Sequence, residues 1–584
     1  MEKSALYHRP ESEYAYLYNK DTVHLRFRSK KDDLKQIVLH YDDSCLFYER
    51  GYAYQFEMVK IATTEEHDYW QAEIQFPYRR LQYIFKIIDC SNKSFLYGDR
   101  GLIDDNEKNY HLFYHGFKIP FFHKIDMVEV PQWVQDTVWY QIFPERFYNG
   151  DDSLSPANKK EWDYHNLPGN SDFYGGDLKG VLDKLDYLQE LGITGIYFCP
   201  IFESPSNHKY DTVNYYEIDK HFGDKELFKK LVEEAHRRGM KIMLDAVFNH
   251  IGDNSPQWQD VLEKGEKSLY KDWFHIHSFP IQKIDKWYPD IHERLNYDAF
   301  AFQPHMPKLN TANPEVKEYL IGIATYWAKE FDIDAWRLDV ANEIDHQFWR
   351  DFRKAVKTIN PSLYILGEVW HSSQPWLNGD EFDAVMNYPL AESLQAYFVR
   401  DELTTREFIS SIHSQKMLYR KQTNQVLFNL LDSHDTERLL TTAQGDKDKV
   451  KQALAALFLQ EGTPCIYYGT EVGMEGGADP DCRRVMIWDE KFQDQDMIKF
   501  IKEIVSLRKS IADLIKKGNI SLKVTENDLL KIILSGESEE LVGVFNKTGQ
   551  SFLVDISKNI LFGNRYNKGK LEDKGFIIYK IKKI

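Results

Sequence analysis

Long apolar runs are missing from this chain of 584 residues, in which no stretch approaches the roughly 20 consecutive apolar residues that a membrane-spanning helix needs. The first residues, MEKSALYHRPESEYAYLYNK, hold no apolar core of signal-peptide length. No membrane partner is therefore expected, and a cytoplasmic location is. Cysteine is scarce: Cys45, Cys90, Cys199, Cys465 and Cys482 form no CxxC pair, and an odd number leaves one unpaired even after full oxidation. A dense disulfide framework is excluded, and the thiols read as reduced and mostly structural. Positive charge is in deficit, with 74 Lys and Arg against 91 Asp and Glu and a net charge of −17. Nucleic acid and anionic membrane surfaces demand a basic face, so neither is expected as a main partner, and a neutral substrate is easier to accommodate. There is no HExxH and no Walker loop, and His275 and His277 in WFHIH read as ordinary residues rather than metal ligands.

The length exceeds what one hydrophobic core usually supports. Residues 1–125 alternate polar and apolar side chains in short runs, such as Thr22-Val23-His24-Leu25-Arg26-Phe27-Arg28, which predicts an N-terminal β-sandwich. From about 137 the texture becomes strand, helix, strand. Leu178, Val181, Leu182, Leu185, Leu188 and Leu191 make a helical stripe opened by Asp177 and closed by Gly192. Strand-like runs lie at 138–147, 193–200 and 241–247, then near 333–340, 363–370, 383–388, 425–432 and 464–469, with helical runs between most of them. Eight such runs, with no GxGxxG after an early strand, predict an α/β fold in the form of a (β/α)8 barrel over 126–500. About sixty residues between His250 and Asn310, including PQWQD, KDWFHIHSF, DKWYPD and HMPKLN, are too many for a βα loop. They predict a subdomain, 250–310, inserted after strand 3. A helix and short β runs after 500 predict a C-terminal β-sandwich over 501–584.

Four segments end strand-like runs with charged residues: LDAVFNH at 244–250, WRLDVANE at 336–343, ILGEVW at 365–370 and LDSHD at 431–435. Along a strand, Ala335, Arg337 and Asp339 share one face, so a cation and a carboxylate point together into a barrel mouth. Arg337 favours an ionised Asp339, as a nucleophile requires, although an Arg–Asp pair is also a common structural device. Glu368 closes an otherwise apolar strand, where a partly dry carboxyl can stay protonated and serve as an acid. Taken singly, it could equally be a strand-end residue turned to solvent. Asp435 in SHD, alone, could be a helix cap. Three carboxylates delivered to one pocket by separate strands is the arrangement needed to break a glycosidic bond. Aromatics, 15% of the chain, tilt the reading the same way, because sugar rings stack on them.

These segments resemble, in order and over about 137–490, the conserved regions of the α-amylase superfamily of glycoside hydrolases. Asp245, Asn249 and His250 match the first region, Arg337 and Asp339 the second, Glu368 the third, and His434 and Asp435 the fourth. The resemblance implies that Asp339 is the nucleophile, Glu368 the acid/base and Asp435 the transition-state stabiliser. His250 and His434 would bind the reacting sugar, Tyr210 would stack on it with His208 alongside, and Asp245 would support Arg337. A retaining mechanism follows, with the first two carboxyls roughly 5–5.5 Å apart.

Within the superfamily, MPKLN (306–310), WRLDVANE, GEVWH and GTPCIYYGTEVGMEGG look like the cyclomaltodextrinase, maltogenic amylase and neopullulanase group. That group carries an N-terminal β domain that, in dimers, reaches over the partner's active site, and YLYNKDTVHLRFRSKKDDL here is similar to it. The resemblance thus implies a homodimer acting on cyclodextrins and other α-glucan oligosaccharides, with some transglycosylation. Asn342 and Glu343 resemble positions that shape acceptor subsites, and Trp370 and Trp376 are candidate aromatic walls. No cofactor is expected to be required. A structural calcium is the open question: Asn149, Asp151, Gly175 and Asp177 match oxygen ligands of relatives, but Leu154 and Ser155 stand where those offer Asn and Asp, and Asp177 is also a natural N-cap. The alternatives are an α-glucosidase or debranching relative on the same barrel, and a non-catalytic glucan-binding protein, which typically would have lost its carboxylates.

Overall fold

The computed structural model describes residues 1–75, 79–282, 284, 295–554 and 559–583. The chain divides into two compact units, Met1–Val130 with Gln374–Gly379 and Leu403–Asn424, and Pro131–Ser373 with Asp380–Glu402 and Gln425–Ile584.

The second unit is built on eight parallel strands: β1 (Trp139–Ile142), β2 (Gly195–Phe198), β3 (Lys241–Ala246), β4 (Ala335–Leu338), β5 (Tyr364–Gly367), β6 (Ala384–Val385), β7 (Phe428–Asn429) and β8 (Thr463–Tyr467). Their spatial order is β6-β5-β4-β3-β2-β1-β8-β7. A parallel bridge from Met386 to Phe428, with the Asn387 N–H on the Phe428 carbonyl at 2.8 Å, joins the two ends of that order and closes the ring. Aromatic side chains fill the interior. Trp139 stacks on Tyr364 at 6.4 Å and lies 6.1 Å from Phe428, whose ring in turn meets Tyr197 at 6.1 Å. The barrel is therefore packed below its mouth, and the carboxylates of the cleft gather at the carboxyl ends of the strands.

The strands are shorter than the apolar runs that announce them, for local reasons. The run at 138–147 yields four strand residues because Pro144 opens a short helix, Pro144–Phe147, at a position where its missing N–H costs nothing. The stripe at 178–191 is two helices, Leu178–Asp183 and Leu185–Leu191. They part at Lys184, whose N–H turns to the Val181 carbonyl at 3.1 Å and whose ammonium lies 4.1 Å from the rings of both Tyr148 and Trp488. Gly192, at φ 85°, ends the second helix in the left-handed conformation that glycine adopts without penalty.

Helix Pro314–Glu330 and helix His346–Ile359 follow the same logic. In the latter, Asp345 caps the Phe348 N–H at 2.8 Å, and Phe348, Phe352 and Val356, four residues apart, are buried. The Trp349 indole donates to the Ala341 carbonyl at 2.9 Å, which ties this helix to the loop that follows β4. The inserted segment after β3 forms helix Pro256–Lys264, with Trp258 packed against Phe274 and Tyr297 at 4.7 Å each. Its DKWYPD stretch lies outside the described residues. Helix Gln495–Ser510 leads into a six-stranded, continuously hydrogen-bonded sheet whose longest strand is Lys570–Lys582.

The first unit holds two antiparallel sheets around one core. One runs Ala15–Leu17, Thr22–Lys30, His67–Gln75, Val59–Thr63, and the other centres on Leu34–Asp42 and Leu81–Asp89. Leu25, Phe27, Ile37, Leu39, Phe85 and Ile87 are fully buried between them, as the period-two pattern requires. Helix Thr405–Leu418 belongs to this unit and carries a reciprocal capping box between Thr404 and Glu407.

Among described residues no helix is long and apolar enough to cross a membrane. For the barrel, Leu188→Ala empties a fully buried site and is expected to cost about 2–5 kcal/mol, read as a lowered denaturant midpoint.

Candidate active site

Parallel pairing puts the charged residues of three neighbouring strands in one layer. In the ladder, Asp245 of β3 lies opposite Arg337 of β4, and Arg337 opposite Leu366 of β5, two residues before Glu368. Arg337 is fully buried and its guanidinium is shared three ways. Nη1 donates to both oxygens of Asp245 at 3.0 and 3.1 Å and to Asp339 Oδ1 at 2.6 Å, while Nη2 forms an ion pair with Glu368 Oε1 at 2.8 Å. Glu368 also accepts from the Trp370 indole at 3.0 Å and from the Val340 N–H at 3.0 Å. Burial holds the Asp339 carboxyl well above the usual carboxylate range, with Arg337 pulling the other way and the Glu368 charge adding to the rise. Burial likewise pushes Asp245 up to about 6. The cluster therefore keeps a proton at a pH where exposed carboxyls have lost theirs.

Tyr210 comes from the loop between strands Phe202–Glu203 and Asn214–Ile218. There Lys209 is left-handed at φ 65°, and its buried ammonium is fixed by Asp219 at 2.8 Å and the Ser204 carbonyl at 3.1 Å. This presents the Tyr210 hydroxyl to Asp245 Oδ2 at 3.0 Å and to His434 Nε2 at 2.5 Å. The Gln141 amide donates to His434 Nδ1 at 2.7 Å, so the proton of the neutral ring sits on Nε2. Burial keeps that ring neutral, holding its pKa well below the ordinary histidine value. His250 is pushed down to about 3 by burial, with Nε2 on the Tyr210 carbonyl at 3.1 Å and Phe300 stacked on the ring at 4.9 Å. His208, pushed down to about 4 by burial, bonds the Tyr210 N–H through Nδ1 at 3.1 Å. All three histidines are thus uncharged hydrogen-bonding groups.

Asp339, Glu368, Tyr210, His208 and His250 line one cleft of about 1000 Å³, together with Asp435, Asn342, Glu343 and Trp370, while Arg337, Asp245 and His434 are buried and hold those groups in place. Asp435 pairs with His434 Nε2 at 3.1 Å and with Arg483 at 3.3 Å. Trp370, half exposed, stacks on Tyr388 at 3.8 Å and 10°. Trp376 is buried, belongs to the first unit and does not line the cleft. Arg483, Asp479, Phe300 and Tyr388 were not singled out from the sequence. Arg483 also bonds the His434 carbonyl at 2.8 Å and Asp479 at 3.0 Å, yet DPDCRR lies in a loop where no periodicity signals which way a side chain faces.

In the loop at 149–177 several polar groups are engaged within the protein. Asp177 caps the Gly180 N–H at 2.6 Å, and its carboxylate also takes the Gly150 and Asp151 N–H groups at 2.9–3.2 Å. Asp151 Oδ1 is occupied by Ser153, the Asn149 amide is turned to Ser155 at 2.8 Å, and the Lys159 ammonium pairs with Asp152 in the same loop. Gly175, at φ 83°, places its own N–H on the Glu145 carboxylate at 2.8 Å. No group of three acidic, histidine or cysteine side chains suited to a metal occurs among the described residues.

A (β/α)8 barrel with three carboxyls and an arginine converging on a cleft at the carboxyl ends of its strands defines a glycosidase-like enzyme. Residues 141–510 match the alpha amylase catalytic domain, and residues 1–123 the alpha amylase N-terminal ig-like domain. An intracellular maltogenic amylase of Bacillus subtilis is 50% identical over 550 residues, covering 94% of this chain and 91% of that one. A cyclomaltodextrinase of Geobacillus thermopakistaniensis (strain MAS1) is 44% identical over 598 residues, covering 100% of both. A solved cyclomaltodextrinase structure superposes with a TM-score of 0.90 at 41% identity, covering 100% of this chain and 98% of that one. The chain belongs to the α-amylase family of glycoside hydrolases, in the group of cyclomaltodextrinases, maltogenic amylases and neopullulanases.

Because burial raises Asp339 and Asp245, an ionised carboxylate is available here only at higher pH than in water. The acid limb of kcat/KM is expected above the 3.8 of an ordinary aspartate, activity falling as protonation removes the carboxylate. A limb at or below that value would detach the profile from this cluster.

Proposed function

We propose that this enzyme hydrolyses α-1,4-glucosidic bonds with retention, acting on cyclodextrins, short malto-oligosaccharides and pullulan, and passing part of the glycosyl group to sugar acceptors. The observation that carries the proposal is the placing of Asp339 and Glu368 on neighbouring nitrogens of one guanidinium beside the cleft. That arrangement suits the roughly 5–5.5 Å between carboxyls that covalent catalysis needs.

In this reading Asp339 attacks the anomeric carbon while Glu368 gives its proton to the departing glycosidic oxygen. The covalent glycosyl-enzyme is then opened by water or by a sugar hydroxyl, whose proton returns to Glu368. Asp435 holds sugar hydroxyls and offsets the positive charge that develops at the ring. Tyr210 stacks on the reacting sugar, and His208, His250 and His434 donate or accept as neutral groups. Asn342, Glu343 and Trp370 receive the leaving or incoming sugar. The naming of relatives as cyclomaltodextrinase and maltogenic amylase supports the substrate class.

We further propose a cytoplasmic homodimer that works without bound calcium. The relative's printed name, intracellular maltogenic amylase, supports the location. Exposed aromatics on the first unit, Tyr48 at 78% and Tyr114 at 67%, support an interface. The Asp177 carboxylate, both of whose oxygens accept backbone N–H groups, supports calcium independence.

The test is chromatographic product identification on β-cyclodextrin, maltotriose, pullulan, starch and isomaltose, with and without a chelator. Attack on β-cyclodextrin and panose from pullulan are expected, with rates changed less than about twofold by chelation. Rapid starch degradation with β-cyclodextrin intact, or glucose from isomaltose alone, would overturn the substrate assignment. Asp339→Asn is expected to lower turnover by roughly 10⁴-fold or more, and normal turnover in that variant would remove it as nucleophile. Light scattering is expected to give twice the 69.1 kDa of one chain.

A further inference from the structure

We infer that Lys308 is a positioning residue for the acceptor side of the cleft: it holds Glu343 where an incoming sugar is received and so sets how the glycosyl-enzyme divides between sugar and water. The inference rests on the double-displacement reaction proposed above.

The MPKLN segment runs antiparallel to the chain leaving β3. Leu309 N–H donates to the Asn249 carbonyl at 3.0 Å and Ile251 N–H to the Pro307 carbonyl at 3.2 Å, with His250 and Lys308 paired between them. An ammonium carries three N–H groups, and three acceptors take them here: Asn249 Oδ1, the Glu343 carbonyl at 3.0 Å and the Glu343 carboxylate at 3.2 Å. The lysine side chain is 19% exposed and the glutamate 45%, so the cation is the sheltered end of the pair while Glu343 lines the cleft beside Asn342.

The turn gripped in this way is one that needs holding. Val340, directly after Asp339, sits at φ 45°, ψ 42°, a conformation that a β-branched residue rarely adopts. Its near end is fixed by Glu368, which takes the Val340 N–H on its carboxylate at 3.0 Å and the Ala341 N–H on its carbonyl at 3.2 Å. Lys308 fixes the far end. A half-exposed glutamate would otherwise sample many rotamers, and a bridge between its own carbonyl and carboxylate removes that freedom. Water can open the glycosyl-enzyme without a second contact, whereas a sugar acceptor must also be oriented. Loosening Glu343 therefore penalises transfer more than hydrolysis.

The test uses the full chain, maltotriose as donor and labelled glucose as acceptor, and reads the ratio of transfer product to hydrolysis product. A misfolded fraction lowers both products equally and leaves the ratio alone. Lys308→Met is expected to lower the ratio about fivefold or more, and to lower it no further in a Glu343→Ala background, because the lysine acts through that glutamate. A ratio within twofold of wild type, or an equal additional fall in the Glu343→Ala background, overturns the inference. A wild-type enzyme that cleaves maltotriose with no transfer also overturns it while leaving hydrolysis standing, and one that cleaves none of the panel removes the reading beneath it.

Discussion

Three carboxyl groups on adjacent strands cannot be buried together unless a cation is buried with them, and in this protein that cation is Arg337. Its place is set by strand register: the parallel ladder puts Asp245 opposite Arg337, and the pleat puts Asp339 two residues further on the same face. A slip of one residue between β3 and β4 would turn the guanidinium out of the pocket and leave the carboxyls uncompensated. Breaking a buried pair of this kind typically costs about 3–5 kcal/mol, so the geometry that serves chemistry is also one the fold depends on.

Around this charged centre the protein sets neutral groups. Burial strips His208, His250 and His434 of their charge, and hydrogen bonds with Gln141, Asn249 and the Tyr210 backbone orient their rings. A neutral polyol is recognised by donors and acceptors in fixed directions, and extra positive charge here would compete with Arg337 for the carboxyls. The loops over the barrel mouth add further side chains, both neutral and charged. The loop after β2 brings Tyr210, the insertion after β3 brings Phe300 and Lys308, and the segment after β8 brings Arg483. The strands fix the charges, and the loops choose what fits against them.

The strand ends were legible because each broke an apolar run with a charge, and a barrel layer collects exactly those positions at its mouth. Helix boundaries were legible where caps are chemical, as at Asp177 and Gly192, and less so where a stripe parts in two, as at Lys184 beside Tyr148 and Trp488. Strand lengths were overestimated because an apolar run continues into loops that are themselves buried, as Cys199, Val247 and Val369 are.

The sequence by itself determined the barrel, the sandwich before it and the carboxylates that face the cleft, because period and strand ends are local properties that survive in one dimension. Only the tertiary structure decided which charges meet. That Arg337 is shared by three carboxyls, that Arg483 reaches Asp435 from 48 residues away, that Asp177 spends its oxygens on backbone amides, and that Lys308 grips Glu343 are all contacts between separate loops. Such contacts depend on distances closed by folding, and no spacing along the chain records them.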